Sequence, residues 1–223
     1  MLGIDIDVFL YRLSVAVIPI LFAITLHEVA HGWVARHFGD PTAERAGRLT
    51  LNPLKHIDPV GTVVVPLVML LFSGGSMIFG WAKPVPVMFQ NLRNPRRDMI
   101  VVAAAGPAAN LAMAMGWAVL AASQATLLGL GEPATMWLYN VCGWGILINC
   151  VLAVFNMLPL PPLDGGRVLA GLLPPAQARI LQRIEPFGFM IVVILMMSGV
   201  LWTLLEPPLF FFTDFFSSVA GFG

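Results

Sequence analysis

Four stretches of this chain, near residues 9–36, 98–123, 136–158 and 187–205, are long and apolar enough to cross about 30 Å of hydrocarbon as helices, and no other feature limits the fold so strongly. A backbone surrounded by lipid must satisfy its own hydrogen bonds, which leaves helices or a closed barrel. The short alternating segments of a membrane barrel are absent from the sequence, so the reading is a helical bundle. Of the 223 residues 58% are hydrophobic and 11% charged, well beyond what a soluble core requires. The expected fold class is an all-α polytopic membrane protein with about four to six membrane segments, forming a single domain over 1–223. Its first apolar run follows Asp5 and Asp7 instead of a basic segment and ends without a small-residue cleavage site, so it is expected to be a retained span.

Charge sets the orientation. Eleven of the twelve Lys and Arg fall in three groups, from Arg36 to Lys55, from Lys83 to Arg97 and from Arg167 to Arg183. The positive-inside rule puts all three on the cytoplasmic side, and the acidic stretches around Asp5, Glu132 and Glu206 outside. The order of the four spans agrees, in what is expected to be the cell's inner (plasma) membrane. A fifth apolar stretch, roughly 60–79, does not agree, because a full crossing would carry Lys83 and the basic group at 93–97 to the wrong side. Interrupted by Pro66 and closed by Gly74 and Gly75, it reads as a re-entrant or partly inserted segment, with a genuine crossing as the alternative. The tail after Pro208 suits an interfacial segment or a sixth short span. AGRLTL at 46–51 alternates polar and apolar residues, and KPVPVMF at 83–89 carries two prolines that disfavour a helix interior, so both read as extended strands beside the membrane. Cys142 and Cys150 lie in an apolar span and read as small packing residues. The basic group at 93–97 abuts a span, which makes it a determinant of topology and not a nucleic-acid site.

The first span contains HEVAH, residues 27 to 31. Residues at i and i+4 share a helix face, so the imidazoles of His27 and His31 can aim at one metal ion while Glu28 stands beside a bound water. Three ionisable groups within five intramembrane residues cost roughly 2 to 3 kcal/mol each if unpaired, which favours a functional cluster over hydrogen-bonded core histidines. A catalytic zinc site usually has three protein ligands and an open position, so a third must come from elsewhere. His37 and His56 sit off the helix face or in the basic stretch and read as ordinary surface or interfacial histidines. Asp164, in FNMLPLPPLDGGR, follows three prolines that end the third span and precedes two glycines that let the backbone turn tightly. On physical grounds alone it is either a third ligand or the cap of a helix over 165–172.

HEVAH in the first span, GWAKPVPV at 80–87, AGPAAN at 105–110 and NMLPLPPLDGG at 156–166 together resemble the site-2 protease family of intramembrane zinc metalloproteases. Only about twelve residues separate the second and third spans, so the chain is similar to the small members that lack a PDZ domain. The resemblance implies that His27, His31 and Asp164 bind Zn2+ and that Glu28 is the catalytic base. It also implies that the strands near 46–51 and 84–89 form a membrane-reentrant β-hairpin beside the substrate, and that the partners are transmembrane proteins within the lipid bilayer.

The expected activity is zinc-dependent endopeptidase cleavage in or near transmembrane segments, at an active site towards the cytoplasm. Zinc lowers the pKa of its bound water and polarises the carbonyl, and Glu28 relays the proton to the leaving amine. A substrate helix must unwind first, and a strand edge near 84–89 can hold it extended. Asn110 and Asn156 are amides in apolar segments, which either orient the substrate or stabilise the oxyanion, or else bond between helices. Two rival readings use the same residues. A membrane zincin of another type would take a distal Glu or His in place of Asp164, and a transporter or proton channel would use His27, Glu28, His31 and Asp164 as a relay.

Overall fold

The computed structural model describes residues 6–65, 67, 68, 80, 82–127 and 131–222. The chain forms α1 (Ile6–His37), a single turn α2 (Thr42–Arg45), α3 (Pro95–Leu127), α4 (Glu132–Asn156), α5 (Asp164–Leu172), α6 (Pro175–Ile184), α7 (Gly188–Met197) and α8 (Val200–Ala220). Among the described residues four segments are long and apolar enough to span a membrane: Ile6–His37, Pro95–Ser123, Glu132–Asn156 and Pro175–Met197. The first three fall where hydropathy places them. At about 1.5 Å per residue α1 is longer than the hydrocarbon is thick, and its histidines lie roughly 30 Å from its start, near the basic end. Gly39, at φ +108, ends α1 in a conformation that side chains rarely adopt, and the chain turns back under the helix.

The helices α1, α3 and α4 pack on one another, and α8 closes against α3 and α4. Their contact surfaces are built from small side chains. Ala114, Ala118 and Ala121 of α3 meet Cys142, Ile146 and Cys150 of α4, with Phe216 and Ala220 of α8 sealing the cluster. In lipid, close approach of this kind replaces the hydrophobic drive that assembles soluble cores. Gly145 shows how tight it is, since a Cβ there would fall within 2.6 Å of three atoms of the Trp117 ring. Both cysteines are free and buried, in keeping with a packing role.

Three expectations are corrected. The fourth span does not run over 187–205: the apolar helix ends at Met197, Gly199 adopts φ +76, and a new helix begins at Val200. The tail is not a separate piece after Pro208, because α8 runs unbroken from Val200 to Ala220 through Pro207 and Pro208. Each proline removes one backbone bond, and the packing of Phe216 and Ala220 at the far end holds the helix on course.

The third correction concerns strands. Among the described residues neither 46–51 nor 84–89 pairs in a β-ladder, so the expected hairpin is not shown. Pro84 and Pro86 have no N–H to offer, and the backbone groups of this segment turn to side chains instead. The stretch at 60–79 lies largely outside the described residues. Its start, Pro59–Val64, is a wide helical turn capped by Asp58, whose carboxylate accepts from the N–H groups of Val60 (3.0 Å) and Gly61 (2.7 Å).

Candidate metal centre

His27 and His31 project from one face of α1 towards α3, which runs antiparallel to it. The facing positions on α3 are Val102, Gly106 and Asn110, themselves spaced by four on a single face. His31 Nδ1 bonds the carbonyl oxygen of Val102 at 2.7 Å, and His27 Nδ1 bonds Asn110 Oδ1 at 2.5 Å. Both acceptors are oxygens, so each Nδ1 carries the proton and each Nε2 is left with a lone pair. The two Nε2 atoms converge to 3.1 Å over Gly106. Only glycine fits there, since a Cβ would lie 2.6 Å from His27 Cε1 and closer still to His31 Nε2.

Asp164 offers a third potential ligand atom. It is the first residue of α5, one past the cap position, which Leu163 occupies. Its Oδ2 instead lies 3.3 Å from His27 Nε2 and 3.2 Å from His31 Nε2, while Oδ1 faces Arg167 Nη1 at 3.6 Å. The Arg167 guanidinium in turn rests over the Phe89 ring. The three ligand atoms lie within 4.8 Å of one another, and all three residues are buried. Their separations of 3.1 to 3.3 Å are close to the edge, roughly 3.3 Å, of a tetrahedron with metal–ligand bonds of about 2.0 Å. Two imidazoles and a carboxylate suit Zn2+, and the residues present fit the ion.

The glycines after Asp164 do not serve a sharp turn, since both are helical residues within α5. They permit contact instead. A Cβ on Gly165 would fall on the carbonyl oxygens of Met157 and Leu158, and one on Gly166 would meet the backbone at 160–161. The loop between α4 and α5 is therefore pressed against the start of α5, which carries Asp164 into the bundle.

A profile of the family described as Peptidase family M50 matches residues 119–199, a stretch that contains Asp164. Two relatives extend the likeness over most of the chain. "Putative zinc metalloprotease YwhC" of Bacillus subtilis is 39% identical over 195 residues, covering 85% of this chain and 85% of that protein. "Putative zinc metalloprotease Rip2" of Mycolicibacterium smegmatis is 33% identical over 199 residues, covering 87% of this chain and 71% of that protein. The chain belongs to peptidase family M50. That family is the site-2 protease family, so the protein is a metalloprotease of the site-2 type and, with its four apolar helices, an integral membrane protein. No solved structure matches it.

The remaining predicted residues fall into different places. Glu28 is half-buried, and its Oε2 accepts the Val85 N–H at 2.6 Å. Asn110 lies behind His27 with no exposed surface, donating to the Ala23 carbonyl (3.2 Å) and to Asn149 Oδ1 (2.9 Å). Asn156, at the end of α4, donates to the Leu152 carbonyl at 3.0 Å. His37 is exposed and stacks on Trp33, as expected of a surface histidine. His56 is only 2% exposed, which corrects its surface assignment, and its Nε2 bonds the Thr50 carbonyl.

Sequence reasoning missed Asn149, Gly106, Arg167 and Asp40. Asn149 is a fully buried amide that fixes Asn110 and donates to the Gly145 carbonyl at 2.8 Å. A lone amide in an apolar span, seven residues before Asn156, was the available signal. Asp40 is fully buried just past α1. Burial pushes its carboxyl up, but hydrogen bonds from the Thr42 hydroxyl, the Asn91 amide and the Met88 and Thr42 N–H groups outweigh it and hold the group below the ordinary carboxylate range.

Proposed function

We propose that this chain is a zinc-dependent intramembrane endopeptidase that hydrolyses peptide bonds in or near transmembrane segments of other membrane proteins. His27, His31 and Asp164 hold the zinc, and Glu28 is the general base. One observation carries the reading: three ligand atoms, from residues 27 to 164 of the chain, converge within 4.8 Å with both histidine Nδ1 positions already committed elsewhere. Outer bonds of that kind raise ligand basicity and fix ring orientation, which is the arrangement metal-binding histidines ordinarily have.

When bound, the zinc supplies a Lewis acid that lowers the pKa of water and polarises the scissile carbonyl. Glu28 then takes a proton from the attacking water and passes it to the leaving amine. Its Oε2 is engaged by Val85, so Oε1 is the oxygen available for that transfer. Asn110 positions His27, and Asn156 is the amide placed to meet the substrate backbone, since its Oδ1 is an acceptor at the mouth of the loop leading to Asp164. The substrate runs extended beside 84–89, because a helical peptide bond is shielded by its own hydrogen bonding. The basic stretches support a site towards the cytoplasmic face of the plasma membrane.

The test is cleavage of a single-span substrate by the wild type and by Glu28→Gln, with zinc content measured in both. The expected outcome is about one zinc per chain in each and loss of turnover, by 10²-fold or more, in the variant. Equal cleavage by the two removes Glu28 as base. Absence of zinc together with proton-coupled flux in vesicles would favour a transporter.

A further inference from the structure

We infer that the segment 83–88 is a clamp that positions the Glu28 carboxylate, and that Asp40 is the positioning residue that holds the clamp in register. The inference rests on Glu28 being the base.

The segment is anchored at three points besides Glu28. The Lys83 N–H donates to the His56 carbonyl at 2.9 Å, and Arg48 Nη2 donates to the Lys83 carbonyl at 2.8 Å. At the other end the Met88 N–H donates to Asp40 Oδ2 at 2.7 Å. Between these anchors stand Pro84 and Pro86, which lack N–H groups and lock φ near −65°. Val85 is therefore the one donor between Lys83 and Val87, and its N–H goes to Glu28 Oε2 at 2.6 Å.

The side chain of Val85 fixes the same register. It is 7% exposed and sits over Gly32, where an added Cβ would lie 2.8 Å from Val85 Cγ1. Gly32 is four residues beyond Glu28, on the same face of α1. Val85 thus touches α1 twice, by its amide at Glu28 and by its side chain one turn later.

Asp40 does more than hold Met88. Its Oδ1 accepts from the Thr42 N–H (3.1 Å), the Thr42 hydroxyl and Asn91 Nδ2 (3.0 Å), so one carboxylate joins the end of α1, the start of α2 and the end of the clamp. Asp40 lies well along the chain from the metal residues, yet it sets where Val85, and through it Glu28, can stand. A carboxylate held by a rigid donor on one oxygen presents the other in a fixed direction, and misplacement by about 1 Å costs on the order of 10²-fold in rate.

The experiment uses the full chain, reconstituted with a single-span substrate, and compares wild type, Asp40→Ala, Asp40→Asn and Val85→Pro. Four quantities are read: kcat, KM, zinc per chain and amide hydrogen exchange over 82–90. Asp40→Ala is expected to lower kcat by roughly 10- to 100-fold with KM and zinc unchanged and to speed exchange in 82–90. Asp40→Asn, which keeps an oxygen for the Met88 N–H, is expected to restore most of both. Val85→Pro deletes the single donor and is expected to lower kcat while zinc stays bound. Wild-type kcat in Asp40→Ala overturns the inference. So does loss of zinc in parallel with kcat, which would make Asp40 a support of the fold alone, and so does a rise in KM alone, which would make the segment a substrate holder. Failure of the underlying reading shows separately, as wild-type cleavage by Glu28→Gln.

Discussion

Gly106→Ala adds a single methyl group beneath the two imidazoles, and the structure gives the size of its effect. The new Cβ would stand 2.6 Å from His27 Cε1, 2.7 Å from His27 Nε2 and nearer still to His31 Nε2. Relaxed contacts between such atoms lie at about 3.5–4.0 Å, so both rings must retreat by about 1 Å. Neither is free to do so, because each Nδ1 is tied to α3, at Asn110 and at the Val102 carbonyl. Overpacking of this kind costs about 1–3 kcal/mol, and zinc–nitrogen distances tolerate shifts of only about 0.2 Å. Zinc affinity should therefore fall by roughly 10- to 100-fold. The same helix provides a control in Gly116, where an added Cβ meets nothing within 4 Å. Gly116→Ala should leave zinc binding alone and stabilise the helix by up to about 1 kcal/mol. Zinc retained per chain against graded chelator, with thermal unfolding of each variant, makes the comparison. If Gly106→Ala holds zinc as tightly as wild type and cleaves at its rate, the rings do not converge over this glycine and the proposed metal site is wrong.

Three further outcomes are expected. Asn149→Ala removes the acceptor for a fully buried Asn110 amide, so stability should drop by about 1–3 kcal/mol and zinc affinity by about tenfold, read from chelator competition and thermal unfolding. Gly165→Ala places a methyl on the carbonyl oxygens of Met157 and Leu158, and since backbone cannot step aside the variant should lose more than about 2 kcal/mol of stability and, with Asp164 displaced, its zinc. Chelation of wild type should lower its melting temperature, by an amount equivalent to about 4 kcal/mol if free zinc had stood at a thousand times its dissociation constant, and re-addition of zinc should restore it.

The proposed metal residues stand out in the sequence to different degrees. A period of four on a helix singles out His27 and His31 whatever surrounds them, whereas Asp164, between prolines and glycines within an apolar sequence, reads equally as a ligand or a helix cap until the family resemblance is added. What supports them was not legible, because it depends on packing across the bundle. Val102 contributes a carbonyl oxygen and Val85 an N–H, backbone groups that no residue type marks in a sequence. Gly106 is one of 21 glycines, and its importance lies in what faces it. Strand prediction at 83–89 failed for a related reason. The alternation of apolar residues with prolines does extend the chain, but an extended chain becomes a strand only when a neighbouring strand accepts its amides, and here the Val85 and Met88 amides go to carboxylate side chains. Among the described residues the last of the four apolar segments is displaced from its expected place, since hydropathy cannot see that Gly199 turns the chain between two apolar helices.

The helix α3 is the common reference for all three proposed ligands. It meets His31 through Val102, clears both rings at Gly106 and meets His27 through Asn110, so its pitch sets the spread of the imidazoles. Its first turn also places Asp164. Arg96 Nε donates to the carbonyl of Gly171 at 2.9 Å and its Nη2 to that of Leu173 at 2.5 Å, fastening the end of α5, while Gly171 lets α5 lie against Ile100 and the backbone of Arg96. The two histidines and the aspartate come from opposite halves of the chain, and no covalent neighbour fixes their separation. One rigid helix touching both partners does so instead, which is how a site retains sub-ångström geometry on elements that are distant in sequence. Substitutions on the inner face of α3 between 96 and 110 should for that reason disturb metal binding first and substrate handling second. Those on the clamp over 83–88 should show the reverse order, because they reach the Glu28 carboxylate and leave the ligand triangle intact.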